Sequence, residues 1–487
     1  MADQKRDSQQ SRRRFMTMAG IGAGSLLAGC SDNSGSSGTD GSTDSGDDST
    51  ITGENGDGAR FDGVTFEMWD WFGVNTGQKA FIEELVAEFE NDTGATVNLT
   101  FDGGVTDGWP QQIRNGEGPH IHSWTPAFGL ILDHEYYYTA DDMMKDHSDL
   151  FDDDTIGDLE WQFDGMRYLG RGLPDIDVPH FPVFNSPRSP VLARYDFVEQ
   201  AGLEDEFPPQ SFDEAIEFSR KLQNNSDAEY GFQVPGSGGD VLGFIWSQLP
   251  QTGDKTETSL MNEDYSELNV GNDAYAETMQ RFKRLLDEGV IAPDTASLGG
   301  SAVSGQIATT DRYGQVSPEP KHQKSVAQSN PAVLQDGSMR WYPMWGEKKS
   351  NQTPWFYNVL PVEDGNSQEK RRQEAAIYFL ANYVLSDGFH EIMAQESGFI
   401  PSKRDTWDAA QENVKWEDQH HWFETCRTQM DNGGAWSLGY GSPEVGDIVP
   451  TLAGAGQYLP QYLTGDLSLD EAMQGWEDTA RADMGLN

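Results

Sequence analysis

The chain has 487 residues and a formal net charge of -48, from 81 acidic and 33 basic side chains. That length exceeds one ordinary core and points to two domains or more, while so acidic a surface repels phosphate backbones and anionic lipid, which excludes nucleic-acid binding and a basic role at the membrane surface. Fourteen Trp and 24 Phe exclude a disordered acidic chain.

The N-terminus reads as an address. Ser11-Arg12-Arg13-Arg14-Phe15-Met16 resembles a twin-arginine export signal. Thr17 to Gly29 is apolar but too short to span a bilayer, which needs about 20 apolar residues. Leu27-Ala28-Gly29-Cys30 resembles a lipobox, in which Cys30 receives a lipid and the preceding signal, residues 1–29, is removed. Residues 30–59, rich in Ser, Gly, Asp and Thr, bury too little apolar surface to offset their ordering entropy and read as a flexible tether. With Cys30 lipidated, Cys426 has no partner, so neither a disulfide nor a cysteine metal site is expected. The acidic excess and scarce lysine match proteins of a halophilic archaeon: at molar salt the Debye length falls to about 3 Å and self-repulsion is screened.

Val64 to Trp69 has the composition of a strand, followed by a helix that Thr76 caps. Phe81, Ile82, Leu85, Val86 and Phe89 form its apolar face and Gly94 stops it. Thr96 to Phe101 alternates as a second strand. Strand, helix and strand at these lengths make a βαβ unit and hence a parallel sheet, whose ligands sit beyond the carboxyl ends of the strands. That rim carries Trp69-Asp70-Trp71-Phe72 and Asp102-Gly103-Gly104. Further helices are expected at Phe212–Leu222, with Ser211 as cap and Glu214 in a capping box, at Ala274–Leu286 before Gly289, at Ala375–Leu385, and at Leu469–Ala480 behind Ser468. Val234–Asp240 and Ser297–Gly305 read as loops; Asp311–Thr353 carries no clear period.

Motifs of catalysis are missing. His134-Glu135 and His390-Glu391 begin like H-E-x-x-H, but Tyr138 and Ala394 stand where the second His belongs. There is no G-x-S-x-G elbow and no phosphate loop. Asp152-Asp153-Asp154 lacks EF-hand spacing. No metal or cofactor is expected, and an enzyme is not. Asn91, Asn98, Asn224 and Asn351 open Asn-x-Ser/Thr sequons.

Six segments in order carry a resemblance. They are Phe81–Val97 (FIEELVAEFENDTGATV), Trp109–Gly129 (WPQQIRNGEGPHIHSWTPAFG), Pro208–Leu222, Phe282–Pro293 (FKRLLDEGVIAP), Ala375–Ser402 ending GFIPS, and Leu463–Met473 (LTGDLSLDEAM). Together they resemble the family 1 extracellular solute-binding proteins of the maltose-binding type. The resemblance implies an α/β, two-lobed periplasmic-binding-protein-like fold (type II) with a hinge between lobes. It places lobe 1 at 60–175 and 305–365, and lobe 2 at 180–300 and 370–487. It further implies a monomer that binds a sugar or oligosaccharide in the interlobe cleft and presents it to an ABC permease and its ATPase. A non-sugar solute, such as a peptide or polyol phosphate, is the alternative, and an exported carbohydrate-active enzyme a more distant one.

A pyranose offers two apolar faces and a belt of hydroxyls, so aromatic rings and nearby carboxylates, amides or guanidinium groups are the residues to seek. The candidates are Trp69, Asp70, Trp71, Asn75, Asp102, Trp124, Trp246, Arg312, Trp345, Trp355 and Trp436. Two departures bear on the ligand. Thr125-Pro126-Ala127 follows Trp124 where relatives usually offer an acid or amide, and Gly118-Pro119-His120 replaces the usual Gly-Pro-Asp turn.

Overall fold

The structure is a computed structural model. It describes residues 60–75, 78–101, 112–113, 115–123, 137–151, 153–169, 178, 180–185, 190–237, 241–262, 266–317, 326, 329–347, 355–362, 366–397, 399–412, 417–433 and 449–483. The signal, the tether, Cys30 and the proposed helix cap Thr76 lie outside the described residues.

The expected βαβ unit is present. Strand β1 (Thr65–Asp70) and β2 (Thr96–Phe101) pair in parallel, Thr65 opposite Thr96 and Asp70 opposite Phe101. Between them runs α1 (Lys79–Thr93), which buries Ile82, Leu85, Val86 and Phe89. Its C-cap Gly94 has φ of 74° and donates its N–H to the Glu90 carbonyl. A side chain is disfavoured in that left-handed conformation.

The sheet is mixed rather than all parallel. Strand β3 (Ile121–Ser123) adds in parallel beside β1, then β8 (Trp355–Val359) pairs antiparallel with β3. Strands β4 (Pro182–Asn185) and β9 (Ile400–Pro401) complete the order β2-β1-β3-β8-β4-β9. A second sheet has the order β6-β5-β7, from β5 (Val191–Arg194), β6 (Gln315–Val316) and β7 (Met339–Tyr342), all antiparallel. The chain passes from the first sheet to the second between β4 and β5 and returns between β7 and β8.

Strand pairing redraws the boundaries expected from the sequence. Strands β6 and β7 hydrogen-bond with β5, not with the first sheet. The helices Ser367–Phe379 and Asp387–Ser397 pack on the first sheet instead of the second: Phe379 meets Phe89 edge-on at 5.2 Å, and Phe389 lies 5.6 Å from Phe81. The chain then returns to the second sheet, where Trp422 of helix Glu417–Gly433 meets Trp341 of β7 at 4.5 Å.

Helices Tyr195–Ala201, Gly300–Thr309 and Glu417–Gly433 pack on the second sheet, and α2 (Phe212–Asn225) meets it where Gln315 bonds Ser219. Helices α3 (Val241–Thr252) and α4 (Asp273–Asp287) pack on each other, with helices Val449–Thr464 and Leu469–Asp483 on them. Ser211 caps α2 by accepting from the Glu214 N–H, but the Glu214 carboxylate bonds the N–H of Gln210, one residue before the expected partner. Ser468 and Glu471 close a full reciprocal box. The helix expected at Ala375–Leu385 begins earlier, at Ser367, and ends in a π-turn over Leu380–Val384.

His120, the departure in the Gly-Pro-His turn, has a structural task. Its Nδ1 accepts from the Glu67 N–H at 3.0 Å, which leaves Nε2 to donate to Glu369 at 3.0 Å, so the turn before β3 ties β1 to the helix Ser367–Phe379. Among the described residues no helix is long and apolar enough to cross a membrane, and no group of three His, Cys, Asp or Glu could hold a metal. Cys426 is a buried free thiol, pushed up by burial.

Candidate functional site at the carboxyl rim of the first sheet

β1 and β3 run in parallel and end side by side, and β8 brings a third side chain to the same place. Asp70, the last residue of β1, is fully buried. Its carboxylate accepts the Tyr357 hydroxyl at 2.6 Å and the Gly73 N–H at 2.6 Å, and Ser123 also bonds it. The Ser123 oxygen in turn accepts the Trp71 N–H at 2.6 Å. Three strands therefore fix one turn, residues 70–73, from beneath.

Burial raises the Asp70 carboxyl to about 6, against the pull of its three donors. Removing a carboxylate from water costs more than those bonds return. Burial, and then the neighbouring Asp70, hold the Tyr357 hydroxyl well above its ordinary range. The pair stays a hydroxyl donor on an acceptor.

The turn is sterically specific. A Cβ on Gly73 would meet the Phe101 ring at 2.3 Å and the Asp70 carboxylate at 3.1 Å, so glycine lets the Phe101 ring lie over the turn without a shift. Phe72 points down into the core, edge-on to Tyr357 at 5.3 Å and to Phe184 at 5.6 Å. Trp71 is left half-buried at the rim, edge-on to Phe72 at 5.8 Å. Nearby, the Lys79 ammonium sits 5.1 Å above the Phe101 ring. The rim can offer an aromatic face, with a cation beside it, on a rigid base.

On the opposite face of the sheet, Trp69 is half-buried, in register with His122. His122 is fully buried, bonds the Tyr137 hydroxyl at 3.2 Å, and is lowered to about 4, chiefly by burial. It is a neutral packing group.

Three other candidates, Trp246, Arg312 and Trp345, fall elsewhere. Trp246 is half-buried on α3. Arg312 is held by Asp294 through two bonds of 2.7 and 2.8 Å and by Gln306 at 3.3 Å, between the Tyr230 and Tyr313 rings. Its charge is already engaged. Trp345 is 2% exposed and packs edge-on against Phe232 at 4.9 Å, so it is a core residue of the second-sheet side. Asn75 closes the short helix Phe72–Asn75, and Trp355 opens β8. Asp102, Trp124 and Trp436 lie outside the described residues. The structure thus joins Asp70 and Trp71 in one constellation and adds Ser123 and Tyr357, which sequence reasoning missed. The signal for Tyr357 was the apolar run WFYNVL, overlooked beside a stretch without period.

A mixed α/β chain with two sheets, crossed three times, and a polar-aromatic rim at the strand ends is the architecture of a two-lobed binding protein. The model for bacterial extracellular solute-binding proteins matches residues 73–358, more than half of the chain, and the protein belongs to that family.

Solved structures share the fold. A solute-binding protein of an ABC transporter from Thermotoga lettingae, bound with alpha-D-tagatose, is 16% identical with a TM-score of 0.60, over 87% of this chain and 100% of that one. The GacH receptor of Streptomyces glaucescens, solved unliganded and with acarbose, is 14% identical with a TM-score of 0.63, over 86% and 98%. An ABC transporter solute-binding protein from Agrobacterium radiobacter, in complex with ribitol, is 16% identical with a TM-score of 0.62, over 87% and 99%. No curated protein sequence matches the chain.

Proposed function

We propose that this protein captures a neutral sugar or oligosaccharide between its lobes and delivers it to an ABC permease, without chemical change. The observation that carries the reading is the buried Asp70–Tyr357–Ser123 network, which holds Trp71 half-exposed on a rigid turn at the carboxyl rim. A pre-positioned aromatic face loses little ordering entropy on binding, and sugar faces stack on such rings. The solved relatives that hold tagatose, acarbose and ribitol support a polyhydroxylated ligand.

Trp124, Trp436, Asn75, Asp102 and Trp355 complete the proposed ligand shell, with the lobes closing on a hinge. Export by the twin-arginine route and a lipid on Cys30 keep the monomer outside the membrane. There the 30–59 tether holds it near its permease at high effective concentration. The acidic surface fits work at molar salt.

Thermal unfolding in molar KCl with a panel of sugars and polyols tests the reading. The bound ligand raises the midpoint by mass action. A panel in which only peptides or phosphorylated solutes raise it refutes the sugar assignment, and turnover of an oligosaccharide refutes the binding-only role.

A further inference from the structure

A second hollow lies on the other side of the molecule's chemistry, among residues that have no part in the Asp70 rim. It occupies about 780 Å³ between the start of α2, the Glu277–Arg284 stretch of α4, Gln251 near the end of α3 and the turn after β7.

Its wall is aromatic. The guanidinium groups of Arg281 and Arg284 each sit 5.5 Å from the Phe212 ring centre, and Trp345 lies 6.5 Å from the same ring. Both arginines are already paired, Arg281 with Glu277 at 2.8 Å and Arg284 with Asp213 at 2.7 Å. No spare positive charge remains for a phosphate or carboxylate ligand. Gln251 and Gln280 add neutral donors and acceptors.

One atom is out of balance. The indole N–H of Trp345 is buried and has no acceptor among the described residues. An unmade bond of that kind is a cost to the fold that an incoming acceptor would relieve. Beside it, Gly346 has φ of 106°, and the Gln251 amide occupies the space a Cβ would take, 2.5 Å from it. Gln251 is half-exposed.

We propose that this hollow is a second saccharide site, distinct from the Trp71 rim. A neutral sugar ring packs against Phe212. Gln280 and the paired guanidinium groups bond its hydroxyls, and rotation of Gln251 lets a ligand oxygen accept from the Trp345 indole. The N-terminal end of α2 adds a favourable field for acceptor oxygens.

The test is calorimetric titration of the full chain in molar KCl with maltotriose, laminaritriose, chitotriose and xylotriose, against two variants. Gln280→Trp, on the exposed face of α4, fills the hollow. Trp345→Phe keeps the ring and deletes the donor. The expected result is a binding event, for at least one trisaccharide, that Gln280→Trp abolishes and Trp345→Phe weakens about 3- to 10-fold, and that persists in Trp71→Ala. If no trisaccharide shows an event sensitive to Gln280→Trp, the inference is overturned, whether or not the Trp71 rim binds sugar. If Gln280→Trp instead blocks docking to the permease and leaves every sugar titration unchanged, the hollow is a protein contact and the saccharide assignment fails. Loss of all sugar binding in Trp71→Ala with Gln280→Trp silent supports the proposed function and refutes this site.

Discussion

Asp70 makes a measurable prediction about pH. Its carboxyl is fully buried and sits at about 6 against an ordinary value of 3.8. The folded state therefore holds this proton more tightly than the unfolded chain does. Below pH 3.8 both states are protonated, and the group's stabilising contribution is complete. As pH rises from there through about 6 the contribution is lost, because the unfolded chain ionises first. At about 1.36 kcal/mol for each pH unit, the loss amounts to roughly 3 kcal/mol by pH 7. Asp70→Asn removes the titration. The amide carbonyl still accepts from Gly73, and the Tyr357 hydroxyl turns to accept from the amide NH2, so hydrogen-bond rearrangement adds an offset of about 1 kcal/mol that does not vary with pH. The assay is urea unfolding of both proteins by tryptophan fluorescence in molar KCl, from pH 4 to pH 8. Taking the difference between variant and wild type cancels every titration the two share. Between pH 4 and pH 8 the variant is expected to gain on the wild type by about 2.5 kcal/mol. A difference that stays flat across the range, or grows in the opposite direction, refutes the assignment of burial as the dominant cause.

Other outcomes follow from the same geometry. Trp71→Ala is expected to weaken binding of the cognate solute by about 10- to 100-fold in calorimetry, the worth of one well-placed aromatic contact of about 1.5–3 kcal/mol; an unchanged affinity removes Trp71 from the site. Gly94→Ala forces a side chain into a left-handed cap, with its Cβ 3.2 Å from the Asp62 Cα. It is expected to lower stability by about 1–2 kcal/mol in the same urea assay. Burial lowers His122 to about 4 and His390 to about 3. Stability from these two is present above about pH 6.5 and is lost as pH falls through the folded values. NMR of the imidazole protons should find both neutral at pH 5.5, and protonation there contradicts the burial argument. Dilution from molar to about 0.1 M KCl lengthens the Debye length to about 10 Å, so self-repulsion of the -48 chain should lower the thermal midpoint. A midpoint indifferent to salt contradicts the reading of the acidic surface.

How much of this was legible in the sequence depended on whether one residue's local pattern decided its environment. The βαβ unit was legible because Phe81, Ile82, Leu85, Val86 and Phe89 share a helical face and Gly94 alone tolerates the stop that follows. The caps at Ser211 and Ser468 were legible because capping is a contact over three residues. Strands β6 and β7 were hidden in a polar stretch, and β8 was overlooked beside it, since their pairing partners β5, β3 and β4 lie far away in sequence. Lobe boundaries were misplaced for the same reason: a sheet edge is a property of pairing, not of composition.

The site turned on one residue. Its place at the carboxyl end of the first strand put Asp70 at the rim, where a carboxylate is an obvious ligand for hydroxyls. Whether it faces the ligand or the core depends on Tyr357, 287 residues away. With that hydroxyl, the Gly73 N–H and Ser123 all directed at it, the carboxylate has few lone pairs left to offer a sugar. Its proposed role is to fix the turn from which Trp71 reaches out. The same proposed division, a buried acid that positions and a half-buried ring that binds, also accounts for the glycine at 73. A Cβ there would crowd both the Phe101 ring and the Asp70 carboxylate, so either the ring or the turn that carries Trp71 would have to give.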